Sequence, residues 1–337
     1  MNPRTKQVHR LDRFELESGE VLHDVEQAYY LDGTLNEERD NLVLVFHALT
    51  GSADAVGDWW NNVLGPGRGA VDTSQYAILC VNFVGSCYGS TGPLDPGRVP
   101  FPSLTTRDLA RLNHAVVESL GVRRVRLTTG GSLGGMVALE WIVMYPEMTD
   151  RAVVFAAPAE HTAAAIGWNH IQRTAINAAT DGGLEIARMV AMMTYRTAAE
   201  FGVRFGRKRA DDGPYDIERY LNRHGEKLRD RFDVRSYLTL LDVLDSHDVG
   251  RDRGGVAKAL AEVGPRIVGV GIPGDVLYRE EDVLQWVSAC GATYRQIHSI
   301  RGHDAFLLEP DQVTRILGEA LEEAAAAYMP LAMSSAR

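Results

Sequence analysis

Ser132, Asp275 and His303 have the residue types and the order along the chain that nucleophilic acyl chemistry requires. Ser132 stands in Gly130-Gly131-Ser132-Leu133-Gly134-Gly135. A short strand-like segment, Val125 to Thr129, precedes it, and a helix-like pattern of Met136, Val137, Leu139, Glu140, Trp141, Val143 and Met144 follows. A serine in Gly-x-Ser-x-Gly between strand and helix takes up a sharp turn that exposes its hydroxyl above the sheet. Flanking glycines, having no Cβ, permit that turn. The helix N-terminus behind it favours developing negative charge. The pentapeptide alone also fits a plain glycine-rich turn, so partners elsewhere decide its meaning.

Two such partners lie downstream, acid first and histidine second. Arg266 to Gly271 reads as a short apolar strand, and Asp275 falls in the loop just past it. Tyr294 to Ile300 reads as a later strand, with His303 on the loop beyond. Open α/β sheets gather functional groups at these strand ends. An aspartate after Pro-Gly is ordinarily a turn former, and a single loop histidine is ordinarily surface. Three such groups, each after its own strand and in the order Ser, Asp, His, predict an α/β-hydrolase triad. In it Ser132 is the nucleophile, His303 the base and Asp275 the group that orients the imidazole.

In that arrangement the loop after the first buried strand supplies one oxyanion-hole amide and the residue after the nucleophile supplies the other. The first is His47-Ala48-Leu49-Thr50-Gly51, so the backbone N–H groups of Leu49 and Leu133 are the expected donors. His47 reads as a structural hydrogen-bonding histidine. The loop Asn82 to Pro93, dense in glycine and small polar residues, reads equally as a tight structural loop or as a wall of an acyl-donor channel. It completes neither Gly-x-Gly-x-x-Gly nor a Walker pattern, and the ten histidines show no metal-ligand spacing.

The elements that must hold these groups alternate strand and helix. Residues 41–46 and Tyr76 to Phe83 are continuous apolar runs typical of strands buried on both faces. Leu104 to Leu120 has helical spacing, and Arg151 to Ala157 is a further strand. The alternation predicts an α/β-hydrolase fold with a mostly parallel sheet. Arg126, Thr128 and Thr129 fit poorly in the strand before Ser132. From about 159 to 264 the chain turns helical and rich in Ala, Arg, Met and Asn, which predicts a cap inserted between core segments 1–158 and 265–330. Ile316 to Tyr328 predicts a helix ended by Pro330, and 331–337 a disordered tail.

Composition narrows the class. The chain has 337 residues, 45% hydrophobic and 24% charged, with ample apolar content for a core. A formal net charge of −10 argues against a nucleic-acid surface. The basic run from Arg204 to Arg209 is followed at once by Asp211 and Asp212 and reads as a solvated loop. Cys80, Cys87 and Cys290 are too few and scattered for a disulfide framework. A polar start, Met1 to Glu20, shows no leader, and no stretch reaches the apolar length of a membrane span. A soluble cytoplasmic protein is expected.

Ordered motifs along nearly the whole chain point further. They are His47 to Gly51, Trp59-Trp60 with Gly65-Pro66-Gly67, Asn82 with Cys87 to Pro93, and Gly130 to Met136. Then come Gln172-Arg173 to Ile176, Thr194-Tyr195-Arg196, Arg231-Phe232-Asp233 with Ser236-Tyr237, and Gly302 to Leu307. With them the chain resembles the homoserine O-acetyltransferase family of α/β-hydrolase-fold amino-acid O-acyltransferases. The resemblance implies a cytoplasmic homodimer that moves the acyl group of acetyl-CoA to the hydroxyl of L-homoserine in methionine biosynthesis. Acyl-CoA is a co-substrate and no permanent cofactor is implied. By position, Ser132, Asp275 and His303 match the triad, and Arg173 and Asp304 match residues that grip the zwitterionic acceptor. Departures from the family pattern are Gly274 before the acid, Arg279 for a proline, Leu133 for a common methionine, and Ser86 for a glycine. The residues themselves leave open a succinyl donor, a serine acceptor, a carboxylesterase that uses water, and a binding module without chemistry.

Overall fold

The computed structural model describes residues 4–95, 97, 100–209, 211 and 213–334. Its centre is an eight-stranded sheet built from β1 (Gln7–Glu15), β2 (Val21–Asp32), β3 (Leu42–Phe46), β4 (Ala77–Val81), β5 (Val125–Gly131), β6 (Thr149–Phe155), β7 (Ile267–Gly271) and β8 (Thr293–Gln296). The order across the sheet is β1-β2-β4-β3-β5-β6-β7-β8. β1 pairs with β2 and β2 with β4 antiparallel, while every pairing from β4 to β8 is parallel. This is the mostly parallel α/β sheet that the alternation predicts.

Side chains of successive strand residues point to opposite faces, and β3 shows the consequence. Leu42, Leu44 and Phe46 enter one core together with Leu109 and Leu112 of α1 (Thr106–Ser119), Met136 and Trp141 of α2 (Leu133–Met144), and Trp286 of α9 (Glu280–Cys290). Val43 and Val45 enter the other, with Trp60 and with Val313, Leu317 and Leu321 of α11 (Pro310–Ser334). The helix α1 starts at a capping box in which Thr105 and Asp108 satisfy each other's backbone N–H.

β1 and β2 are absent from the sequence expectations. β1 is largely exposed, so it carries no apolar run, and its existence rests on pairing with β2 from Gln7↔Tyr29 to Glu15↔Val21. Two of the polar residues of β5 have partners, while the Thr128 hydroxyl is buried without one among the described residues. Arg126 bridges Asp40 at 2.6 Å and Asp150 at 3.2 Å, and Thr129 donates its hydroxyl to the Val153 carbonyl at 2.9 Å.

Between β6 and β7 lie helices α3 (Ala163–Ala178), α4 (Gly183–Tyr195), α5 (Ala198–Arg204), α6 (Asp216–Arg229), α7 (Val234–Asp245) and α8 (Val256–Leu260). Among the described residues this stretch has no strand longer than a single bridge. α7 packs Tyr237, Leu240 and Leu241 into the same core as α1 and α2, so the segment is rooted in the main body. At the C-terminus α11 runs past Pro330 to Ser334, although a helix end was expected there. Proline blocks one intrahelical bond, and it does so close to the helix end, long after the core contacts of Val313 to Leu321 have fixed the axis. Of the tail expected to be disordered, 331–334 continue this helix and 335–337 lie outside the described residues. Among the described residues no helix is long and apolar enough to cross a membrane.

A buried carboxylate ties distant segments together. Glu140, in the middle of α2 and fully buried, accepts from Arg107 Nε of α1 at 3.3 Å and from Arg253 Nη1 at 2.6 Å. Arg107 also donates to Glu17 in the β1–β2 turn at 3.0 Å and to the Asp248 carbonyl at 3.2 Å. Removing one member leaves two guanidinium groups facing a cavity. Glu140→Ala is therefore expected to destabilise the fold by roughly 3–5 kcal/mol, read as a lower midpoint in chemical denaturation. An unchanged midpoint would show that solvent replaces the carboxylate without loss.

Candidate active site

The junction of β5 and α2 puts Ser132 in a conformation that non-glycine residues rarely adopt, with φ 58° and ψ −126°. Its N–H is tied to the Phe155 carbonyl at 3.0 Å, which anchors the turn to β6. Gly134 is required by proximity: a Cβ there would lie 2.2 Å from the carbonyl oxygen of Phe46 at the end of β3. The helix α2 can therefore start directly against the β3 strand end, and the amide of Leu133 sits at its first position. Among the described residues the N–H groups of Leu49 and Leu133 donate no hydrogen bond.

Asp275 and His303 come together from separate strand ends. His303 Nδ1 and Asp275 Oδ2 are 2.7 Å apart, and both residues are buried. The second oxygen of Asp275 accepts from the N–H groups of Leu277 at 2.8 Å and Tyr278 at 3.1 Å, so the carboxylate is held at both oxygens. A carboxylate on Nδ1 leaves Nε2 as the free nitrogen in the neutral imidazole. That Nε2 is buried and without a hydrogen-bond partner among the described residues. The rings of Tyr195, Tyr278 and Phe306 surround the imidazole at centroid distances of 5.6, 5.2 and 5.8 Å.

Ser132 and His303 share one cavity of about 170 Å³. Its floor includes Leu49, Thr50 and Gly51 of the loop after β3, and Trp59. Helix α4 contributes Arg188 and Tyr195, the connection after α6 contributes Arg231, and Asp304 follows His303. Serine, a base oriented by an acid, and two open amides can carry out acyl transfer through a covalent serine ester.

Asp304, matched by position to a residue that grips the acceptor, lines this cavity, with one oxygen 3.1 Å from Arg196 Nη2. Arg173 does not. It bridges Asp242 at 2.8 Å and Asp245 at 2.6 Å, clamping α3 to α7, and two carboxylates on adjacent turns of α7 satisfy its charge. The cavity cations are Arg188 and Arg231 instead. Among the described residues Arg188 has no ion pair, and its guanidinium lies 5.3 Å over the Tyr195 ring. The sequence signal for Arg188 was weak, one arginine in an Ala/Met-rich helix, whereas Arg231 belonged to a quoted motif without an assigned role. His47 is structural: fully buried, it hydrogen-bonds the Phe83 N–H through Nε2 at 3.0 Å and the Ala48 carbonyl through Nδ1 at 2.8 Å. Burial pushes its pKa down to about 4. No cluster of potential metal ligands occurs among the described residues.

Comparison with known proteins gives this geometry a family. The α/β-hydrolase fold model matches residues 41–179. A homoserine O-acetyltransferase of Thermus thermophilus is 44% identical, over 91% of this chain and 89% of that protein. One from Chlorobium luteolum is 38% identical over 96% of this chain and 95% of that protein. The chain belongs to the homoserine O-acetyltransferase family. The crystal structure of the family's Staphylococcus aureus member superposes with a TM-score of 0.82 at 32% identity, over 94% of this chain and 95% of that one.

Electrostatics act on the His303 imidazole within this site. Burial lowers the His303 pKa, but the charge and hydrogen bond of Asp275 and the charge of Asp304 outweigh it, so the net shift is upward from the ordinary imidazole value. Only neutral His303 can take a proton. Reactivity of Ser132 is thus expected to fall with decreasing pH through a pKa above the usual imidazole value, about 6.5. Asp304→Asn removes one charge that favours the imidazolium, so the acid limb moves to lower pH. The rate of Ser132 labelling by a fluorophosphonate against pH measures this, and a limb that stays in place would remove Asp304 as an electrostatic contributor.

Proposed function

We propose that this chain moves the acetyl group of acetyl-CoA to the side-chain hydroxyl of L-homoserine, forming O-acetylhomoserine for methionine biosynthesis, through an acetyl ester on Ser132. The observation that carries the reading is the content of one cavity: the Ser132 hydroxyl, an anion at Asp304 and, without partners among the described residues, the Nε2 of His303 and the cation of Arg188.

His303 Nε2 takes the Ser132 proton as the hydroxyl oxygen attacks the thioester carbonyl. Asp275 holds the ring and stabilises the imidazolium. The amides of Leu49 and Leu133 receive the tetrahedral oxyanion, each worth roughly 10²–10³ in rate. The C–S bond breaks, the proton passes from His303 to the thiolate, and CoA leaves. The homoserine hydroxyl then gives its proton to His303 and attacks the ester, and Ser132 is regenerated. This is a ping-pong cycle. A zwitterionic acceptor needs a cation for its carboxylate and an anion for its ammonium. Arg188 and Asp304 supply that pair, and Asp304 adjoins the base. Arg173 holds α3 and α7 together instead.

The helices between β6 and β7 act as the cap, since α4 and the connection after α6 roof the cavity. They also supply the surface for a homodimer: Ile166, Trp168 and Ile171 on α3 and Ile186 and Met193 on α4 are exposed, with Ile171 at 47% and Met193 at 46%. A second copy of this chain would cover that apolar face, so the double variant Ile171→Glu with Met193→Glu should be monomeric by light scattering where the parent is dimeric. A parent that is itself monomeric would discard the interface. With acetyl-CoA and CoA as soluble substrates, the cytoplasm is the compartment this reading requires.

The decisive measurement is CoA release with and without acceptor. Acetyl-CoA alone should give a burst of CoA and a stable acetyl adduct on Ser132, and L-homoserine should raise the steady-state rate strongly. Ser132→Ala should abolish both. Arg188→Ala should keep the burst and raise the homoserine KM about 10- to 100-fold, as loss of a charged hydrogen bond of about 1.5–3 kcal/mol implies. Arg173→Ala should lower thermal stability while leaving that KM near the parent value. If no hydroxy amino acid accelerates CoA release, water is the acceptor and the enzyme is an esterase.

A further inference from the structure

The loop after β3 is held by more hydrogen bonds than a surface turn needs. Gly51 N–H donates to the Ala48 carbonyl at 2.9 Å, closing a four-residue turn, and His47 Nδ1 reaches the same carbonyl at 2.8 Å. From across the cavity Arg231 Nη1 donates to the Thr50 carbonyl at 2.7 Å and to the Tyr88 hydroxyl at 2.6 Å, while Nη2 donates to Thr50 Oγ1 at 3.2 Å. Arg231 has no carboxylate partner among the described residues. Its guanidinium is spent on the loop.

Peptide planarity gives these bonds a direction. In a trans peptide the C=O and the following N–H point opposite ways in one plane. The Thr50 carbonyl held by Arg231 shares its peptide unit with the Gly51 N–H, which therefore points away from Arg231 and onto the Ala48 carbonyl. The Ala48 carbonyl in turn shares its unit with the Leu49 N–H, which points away from the turn with no acceptor among the described residues. A guanidinium, two peptide units and one intervening hydrogen bond thus form a head-to-tail series ending on the open amide. Each dipole in such a series polarises the next. We infer that Arg231 is a positioning residue that aims and polarises the Leu49 amide through the Thr50–Gly51 and Ala48–Leu49 peptides, making the oxyanion site depend on the helical segment above it.

The residues around Arg231 serve the same end. Phe232 is buried against Tyr88 and Tyr237 at centroid distances of 5.6 and 6.2 Å, and Asp233 caps α7 by accepting from the N–H groups of Arg235 and Ser236. The tripeptide Arg231-Phe232-Asp233 therefore fixes the start of α7 and projects one fork onto the loop. The Asn82 to Pro93 loop enters through the Tyr88 hydroxyl on Arg231 and the Phe83 N–H on His47. That gives it a supporting role beneath the oxyanion turn.

The proposal rests on the acetyl-serine reading and on Leu49 as an oxyanion donor, and its test keeps them apart. Pre-steady-state CoA release from acetyl-CoA is measured for the parent, Arg231→Ala, Arg231→Lys and Tyr88→Phe, alongside the Kd of CoA and of a trifluoromethyl ketone analogue of acetyl-CoA. The analogue forms a tetrahedral oxyanion on serine. Arg231→Ala should slow acylation roughly 10²-fold, the lower end for loss of an oxyanion donor. Its affinity for the ketone should fall in parallel, with the CoA Kd within twofold of the parent. Added guanidinium ion should restore part of the rate. Arg231→Lys, with charge but no fork, should recover less than half of the loss on a logarithmic scale. Tyr88→Phe, which keeps both bonds to Thr50, should lose only a few-fold and supplies the test if Arg231→Ala does not fold.

An unchanged acylation rate in Arg231→Ala overturns the positioning role. So does a CoA Kd that rises as much as the rate falls, because Arg231 would then be holding the acyl donor directly. If Tyr88→Phe has to stand alone, a parent-like rate and ketone affinity overturn the role in the same way. A parent enzyme that shows no burst with acetyl-CoA overturns the acetyl-serine reading itself, and the inference with it.

Discussion

The backbone of Ser132 is the constraint on which the rest of the site depends. A positive φ of 58° at a non-glycine residue costs on the order of 1–3 kcal/mol and persists only where the surroundings over-determine it. Here they do. The Ser132 N–H is fixed on β6, the first turn of α2 is pressed against the end of β3, and a side chain at Gly134 would collide with the Phe46 carbonyl. The same close approach that strains Ser132 brings the loop after β3 beside the N-terminus of α2. The two amides proposed for the oxyanion therefore belong to segments that packing itself brings together, before any substrate is present.

The proposed catalytic groups are placed by a division of labour between rigid and adjustable parts. Parallel strands buried on both faces hold Ser132, Asp275 and His303 at their C-terminal ends, and the Asp275 carboxylate is locked by two backbone amides and one imidazole. The cavity cation proposed to meet the acceptor comes from elsewhere. Arg188 belongs to the helices between β6 and β7, so the proposed acceptor contact can vary in evolution without disturbing the proposed proton relay. The Glu140 cluster joins these two parts, since its second arginine, Arg253, lies on the return leg from α7.

Much of this was legible in the residues. The buried strands announced themselves as apolar runs, the glycine pattern marked the serine turn, and the strand-end positions of Asp275 and His303 marked their partnership. The features that were not legible share a physical cause: they depend on pairing between distant segments. β1 is a strand because β2 is beside it, and its own residues are mostly solvated. The ion pairs of Arg126 with Asp40 and Asp150 span the strand ends. Arg173 was matched to the acceptor by the resemblance alone, and its own residues say nothing of the two carboxylates that α7 brings to it. Arg188 carried only a weak local mark, because what distinguishes it is the lack, among the described residues, of a carboxylate partner in three dimensions.

The exposed strand β1 has a consequence for how copies of this protein behave near one another. An open sheet ends in a row of unpaired backbone groups that can template further strands, and β1 forms that border here. Its sequence, Gln-Val-His-Arg-Leu-Asp-Arg-Phe-Glu, places charges of both signs along the rim, with Arg10, Asp12, Arg13 and Glu15 exposed. A second sheet approaching edge-on would have to strip water from these groups before gaining any backbone bond. The strand thus acts as a fence against runaway sheet growth, and it protects the aggregation-prone apolar strands behind it while the chain is still completing its fold.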